Sequence, residues 1–334
     1  MSRLLLTVAL AFTLACDGAQ AAKLNIDMVN QAQFSEYEAG GVNPMLMKAQ
    51  ILLDRARFSP GLIDGHLSTN FTKAVAAFQA ANGLPSDGKL TRETWNKLAT
   101  TSVEPVLMTY EVTTKDVHSR FTRRIPARME RMARLKRLGY RNMREKLAER
   151  FHVSEQLLTM LNPRARLKKA GTSLVVPGVG RSAPPATIGS VEVDKGSRQV
   201  RVLDPAGKWL AVYPASIGSQ EKPAPSGIVD VRRVVHNPTY HYDPKFAFKG
   251  IKTKRPFAIA AGPNNPVGSV WIDLSIESYG IHGTPAPGQI GTTFSHGCVR
   301  LTNWDAEDLA SMVKPGTTVD FKGDIAPNQD ERSP

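Results

Sequence analysis

The sequence predicts a multi-domain α+β chain: a small helical domain, then a compact α/β module, then a mainly β domain. Two changes of rhythm predict it. Apolar residues recur at helical spacing from Pro44 onward and alternate at period two from Val191 onward, with a strongly basic stretch and a Pro/Gly-containing stretch between the two regimes. The length of 334 residues suits two or three domains, and the 41% apolar composition supports buried cores. Wholesale disorder and a collagen-like repeat are thereby excluded.

The N-terminus is read first as a targeting segment. Arg3 precedes an apolar run, Leu4 to Leu14, that is too short to span a bilayer, which takes about 20 residues. Ala19-Gln20-Ala21 follows as a small-residue cleavage site, so residues 1–21 read as a secretory signal peptide and 22–40 as a polar leader. The alternative is lipid anchoring at Cys16, because Thr13-Leu14-Ala15-Cys16 partly resembles an acylation box, with Thr13 where that box usually has Leu. Cleavage after Ala21 leaves Cys298 as the single cysteine of the mature chain, in a compartment that oxidises paired thiols. A lone thiol is no internal staple. It is either a buried inert residue or a reactive one.

Residues 41–101 form the helical domain. Leu46, Ala49, Leu52 and Leu53 line one helix, Ala74, Val75 and Phe78 another, and Asn82-Gly83 ends the second. Asp64-Gly65-His66-Leu67-Ser68 returns as Asp87-Gly88-Lys89-Leu90-Thr91, each copy a turn feeding a capped helix. Together with Pro60-Gly61, Phe78-Gln79, Gly83-Leu84 and Thr94-Trp95, this order resembles the small helical peptidoglycan-binding domain, a wall-binding module. The resemblance implies wall binding. Phe78 and Trp95 themselves read as core.

Residues 107–178 form a basic module. Between His118 and Arg150 stand twelve Lys and Arg against three acids, Glu130, Glu145 and Glu149, or +9 of the chain's formal net charge of +13. Met129, Met132, Leu135 and Leu138 suggest an apolar stripe on a basic helix. Such a field reads as a solvated helix face or as a contact for anionic wall polymer or the membrane surface. Nucleic acid is excluded by secretion and by the absence of a groove-reading motif. From Leu147 through Leu157-Leu158, Leu161-Asn162-Pro163 and Val175-Val176-Pro177, the module resembles a LysM-like glycan-binding fold, without the usual Gly-Asp-Thr-Leu opening. Residues 179–189, with Pro184-Pro185, read as a linker.

In residues 190–322, Val191/Val193, Val200/Val202 and Leu210/Val212 alternate as in antiparallel hairpins, and 323–334 reads as a tail. The densest chemistry runs from Tyr279 to Asn303: Tyr279-Gly280-Ile281-His282-Gly283-Thr284, then Ser295-His296-Gly297-Cys298-Val299-Arg300. A thiol with a pKa of about 8.5 needs a base, and an imidazole with a pKa of about 6.5 can take its proton and return it. Two residues before Cys298, His296 would share its face on an extended strand, and His282 would reach it from a neighbouring strand. Spacing leaves the choice open.

This pair of strings resembles the signature of the L,D-transpeptidase catalytic domain, the YkuD-type family, with support from Pro225-Ser226-Gly227, Asn237-Pro238, Tyr240 and Gly262-Pro263-Asn264-Asn265-Pro266. The resemblance implies that Cys298 attacks the carbonyl after the third residue of a peptidoglycan stem tetrapeptide, releasing D-Ala and leaving a thioester for an amine acceptor. It implies His282 as base and later acid, its other nitrogen held by the backbone carbonyl at Gly283. His296 joins the catalytic set, and Gly297, Gly283 and Ser295 serve as oxyanion or orienting groups. Arg300, Tyr279 and Asn303 are expected to bind substrate, Arg300 at a carboxylate. Acceptors would be a second stem, a wall-attached lipoprotein or a free D-amino acid, and the setting periplasmic or cell-envelope. No cofactor is expected, and no metal, since CxxC and HExxH are both missing. A hydrolase of the same fold and a non-catalytic wall-binding protein are the alternatives.

Overall fold

The structure is a computed structural model that describes residues 24–184, 187–218, 223–246, 253–293 and 297–324. The expected signal peptide with Cys16, residues Ser295 and His296, and the tail from 325 lie outside the described residues.

The first unit holds α1 (Ile26–Asn30), α2 (Pro44–Arg55), α3 (Thr69–Ala81) and α4 (Arg92–Ala99). Each begins at a side-chain cap, from Asn25, Asn43, Ser68 and Thr91 in turn. The leader thus carries a helix that the sequence did not announce. Val29 is fully buried, and Asn30 clamps the Leu107 backbone, donating to its carbonyl at 3.0 Å and accepting from its N–H at 2.8 Å. The repeated Asp-Gly turns are built alike. Buried Gln50 accepts from the Gly65 N–H at 2.8 Å and donates to Asp64, and buried Gln79 accepts from the Gly88 N–H at 2.9 Å and donates to Asp87. Gly65 and Gly88 sit at φ +76° and +73°, which requires glycine.

The second unit runs β1 (Leu107–Glu111), α5 (Thr114–Val117), α6 (Met129–Met132), α7 (Met143–Arg150), α8 (Glu155–Leu161) and β2 (Ser173–Pro177), with β1 and β2 antiparallel. The long basic helix is absent: only the single turn of α6 forms, and it buries no residue. Apolar residues three apart drift round a helix of 3.6 residues per turn, and arginines at the same spacing repel one another. Leu138 is fully buried nonetheless, and its N–H and C=O pair with Ala261 and Asn264 of the C-terminal domain at 3.0 and 2.9 Å. The apolar side chains of the first two units form one continuous cluster, so they pack as a single body.

The third unit is built on a sheet of β3 (Ser190–Asp194), β4 (Gln199–Leu203), β5 (Trp209–Pro214), β6 (Ser216–Ile217), β7 (Gly227–His236), β10 (Val270–Leu274), β11 (Gly280–His282), β12 (Val299–Arg300) and β13 (Thr318–Lys322). Between β7 and β10 in the chain, β8 (Tyr240–Tyr242) and β9 (Phe257–Ile259) make a separate hairpin, and α9 (Asn303–Met312) packs on β10 and β11. The strand order is β5-β4-β3-β13-β7-β10-β11-β12-β6. Pairing is antiparallel, as the alternation suggested, except at β3–β13 and β11–β12, which are parallel. The valines read as strand residues, including Val191, Val193, Val200 and Val202, fill the core.

Residues 179–184, expected to be linker, are anchored instead. Arg181 is almost wholly buried and contacts Asp54 of α2 at 2.7 Å and Asp305 and Asp308 of α9 at 2.9 Å each. Arg57 reaches Asp308 at 3.2 Å, Ser59 donates to Asp305 at 2.8 Å, and the His152 ring lies parallel to Trp304 at 5.0 Å. Phe58 also bridges Val212 of β5 through the backbone.

Candidate active site

The register of β11 and β12 assembles the site. Ile281 lies opposite Val299 and His282 opposite Arg300, with Cys298 just before the strand. Ile281 and Val299 point into the core, so the alternate residues, His282, Cys298 and Arg300, share the other face. The Leu301 N–H donates to the His282 carbonyl at 2.9 Å and ties the segments together. Gly297, immediately before the thiol, sits at φ +102°, a conformation that favours glycine.

His282 is buried, and its Nδ1 lies 2.7 Å from the Gly283 carbonyl. Since a carbonyl only accepts, Nδ1 carries the proton and Nε2 keeps a lone pair. Burial, and then the charge of Arg300, press the imidazole down to about 3, with the Gly283 hydrogen bond opposing. The ring is therefore neutral across the ordinary pH range. Trp271, opposite His282 in the β10–β11 register, stacks on it with centroids 5.5 Å apart and planes 22° from parallel. Gly280 permits this, for a Cβ there would meet the Trp271 ring at 2.5 Å. The place of Trp271 over the His282 ring comes from pairing between strands, which the sequence does not display.

The Cys298 Sγ donates to the Ser278 carbonyl at 3.7 Å, and the cysteine is half-buried. Ser278 itself stands at φ +67°. Arg300 and Tyr240 lie within electrostatic range of the thiol. Burial foremost, with Cys298 and Tyr242 adding, pushes the Tyr240 hydroxyl up to about 12, so it stays a neutral donor. Tyr279 is partly exposed beside the site, its hydroxyl 3.5 Å from the Pro223 carbonyl.

Asn303 departs from expectation. It is buried, accepts from the Ser269 N–H at 3.0 Å, and donates to Glu149 at 2.9 Å and to the Pro263 carbonyl at 3.1 Å. Its amide is consumed by the protein, so it supports the site from behind and does not face substrate. Glu149, read only as one of three acids in a basic stretch, thereby joins the support of the site. Among the described residues, no group of three or more His, Cys, Asp and Glu is arranged to hold a metal ion.

The arrangement provides a thiol, a neutral tautomer-fixed imidazole and a guanidinium on one face. Such a set can carry out acyl transfer through a thioester. Residues 189–321 match the model of the L,D-transpeptidase catalytic domain, YkuD, and residues 43–98 that of a peptidoglycan binding domain. The chain is 30% identical over 178 residues to an L,D-transpeptidase named YkuD from Bacillus licheniformis, covering 52% of this chain and 90% of that protein. Its Bacillus subtilis counterpart is 31% identical over 175 residues, covering 52% and 89%. The L,D-transpeptidase YcfS of Escherichia coli is 28% identical over 187 residues, covering 53% and 58%.

Proposed function

The chain belongs to the YkuD L,D-transpeptidase family, and from that premise we propose that it remodels peptidoglycan through a thioester on Cys298, with His282 moving the protons. The His282 Nδ1 contact with the Gly283 carbonyl, at 2.7 Å, carries this reading, because it leaves Nε2 as the proton acceptor on the face shared with Cys298.

Nε2 takes the thiol proton as sulfur attacks the carbonyl of the third stem residue. The tetrahedral intermediate collapses by breaking the bond to D-Ala, whose nitrogen receives that proton from His282. The thioester then meets an acceptor amine; His282 takes the amine proton as the new amide bond forms, and the proton returns to the departing sulfur. In this reading backbone N–H groups at Gly297 and Cys298 receive the oxyanion, and Arg300 pairs with a substrate carboxylate. Ser295 and His296 are assigned to substrate orientation on the signature alone.

The protein acts on peptidoglycan, with the helical unit as a wall contact and the basic segment around residues 118–150 facing anionic wall polymer or membrane. Secretion through a cleaved signal peptide to the periplasm fits the N-terminal sequence. Acceptors include a second stem and a lipoprotein lysine. Cys298→Ala abolishes acylation by a carbapenem-type β-lactam, read by mass spectrometry; an acylated variant overturns the assignment. With a stem tetrapeptide and an amine acceptor, amide product identifies transfer, whereas tripeptide alone identifies hydrolysis.

A further inference from the structure

Behind His282, a chain of contacts leaves the catalytic domain and ends in the second unit. The Gly283 carbonyl that receives the His282 Nδ1 proton belongs to backbone packed directly on the Asn303 side chain: a Cβ on Gly283, or on neighbouring Gly268, would meet Asn303 Oδ1 at 2.1 Å. The plane of the Asn303 amide therefore sets where that backbone lies. The plane is fixed by three contacts, of which the Ser269 N–H and the Pro263 carbonyl come from the catalytic domain. The third is the Glu149 carboxyl on α7, which takes the Nδ2 hydrogen at 2.9 Å. Inverting the amide would point its NH2 at the Ser269 N–H and its oxygen at the Pro263 carbonyl and at Glu149. Glu149 is itself held by the Tyr140 hydroxyl at 3.1 Å.

We propose that Glu149 is a positioning residue for the reaction: acting through Asn303, it fixes the Gly283 carbonyl that selects the His282 tautomer, so that the second unit completes the active site. The inference rests on the reading of His282 as the base. The electrostatics agree with a structural acceptor rather than a surface charge. Burial first, then Glu307 and Glu145, raise the Glu149 carboxyl to about 7, while hydrogen bonds from Asn303 and Tyr140 oppose the rise. Either protonation state retains an oxygen that accepts from Asn303.

Three variants of the full chain test this: Glu149→Ala removes the acceptor, Glu149→Asp withdraws it by one methylene, and Glu149→Gln keeps an accepting oxygen without the charge. Two readouts are taken, the rate of acylation by a carbapenem and the nitrogen-15 shifts of the His282 imidazole. A displacement of an ångström at the reacting groups costs about 10²-fold. We expect losses of that order in the alanine and aspartate variants, with His282 shifts moving from a single Nδ1–H tautomer toward a mixture, and recovery to within about threefold of the parent rate in the glutamine variant. If the alanine variant does not fold, the aspartate variant decides. Parent-like acylation and a single Nδ1–H tautomer in folded Glu149→Ala or Glu149→Asp overturn the proposal, as does Glu149→Gln failing as badly as the aspartate variant. His282→Ala run alongside separates the two readings: if it acylates like the parent, His282 is not the base, and the fault then lies upstream of Glu149.

Discussion

Arg181→Met tests the joint between the units. The substitution keeps much of the side-chain volume but removes a guanidinium shared by Asp54, Asp305 and Asp308. Burial opposes ionisation of Asp54, yet Arg181 and His152 overcome it and hold the carboxyl down to about 2, from 3.8. A shift of that size corresponds to about 2 kcal/mol. Removing one partner of a buried ion pair costs about 3–5 kcal/mol, since the remaining charges lack compensation. The expected loss at pH 7 is therefore about 3–5 kcal/mol, measured by urea unfolding with tryptophan fluorescence. The pH dependence has a definite sign. A carboxyl with a depressed folded pKa contributes stability above its unfolded pKa, and that contribution disappears as pH falls from 3.8 toward about 2. The gap between parent and variant should narrow across that window by about 2 kcal/mol. A loss below about 1 kcal/mol at pH 7, or a gap unchanged at pH 3, refutes the reasoning.

Three further outcomes follow from the site. Gly283→Ala should lower both stability and β-lactam acylation, because its methyl would meet Asn303 Oδ1 at 2.1 Å in the present backbone; a variant with parent thermal stability and acylation rate contradicts the packing described. Protonation of His282, depressed to about 3, should not slow acylation between pH 7 and 5, and an acid limb near 6.5 would contradict the buried geometry. The same depression means that the folded state binds fewer protons than the unfolded one between pH 6.5 and about 3. Folding stability should fall as pH drops through that window, and less so in His282→Gln.

The two strings around His282 and Cys298 were legible because they are local in sequence, a glycine after the imidazole and a glycine before the thiol. Spacing did not choose between His282 and His296, and it is the pairing of β11 with β12 that brings His282 to the face of Cys298. The repeated Asp-Gly turns were legible because they too are local, although the roles of Gln50 and Gln79 in holding them depend on contacts that the sequence does not display. What escaped the sequence lies in contacts between distant segments. Asn303 stands three residues beyond Arg300 and looked like part of the same surface, but the start of α9 turns it inward to Ser269, Pro263 and Glu149. Arg181 sits in a stretch whose prolines suggest mobility, and only the placement of α2 against α9 brings three carboxylates to it. The basic segment misled through its period: a repeat of three suited neither a helix nor a strand, and the chain uses Leu138 as a single plug against Ala261 and Asn264.

The buried Arg181 joint changes what the helical unit can do for the reaction. On a slack tether, a bound unit would let the thiol search a sphere of wall around it, at a local concentration set by tether length. With α2 and α9 pinned to one guanidinium, the wall contact and the thiol keep a constant offset and heading. Under the function proposed above, the joint would act as a caliper: a grip by the helical unit on one part of the polymer would fix which stem peptides lie within reach of the thiol, so that the spacing of stems would enter substrate choice beside their chemistry.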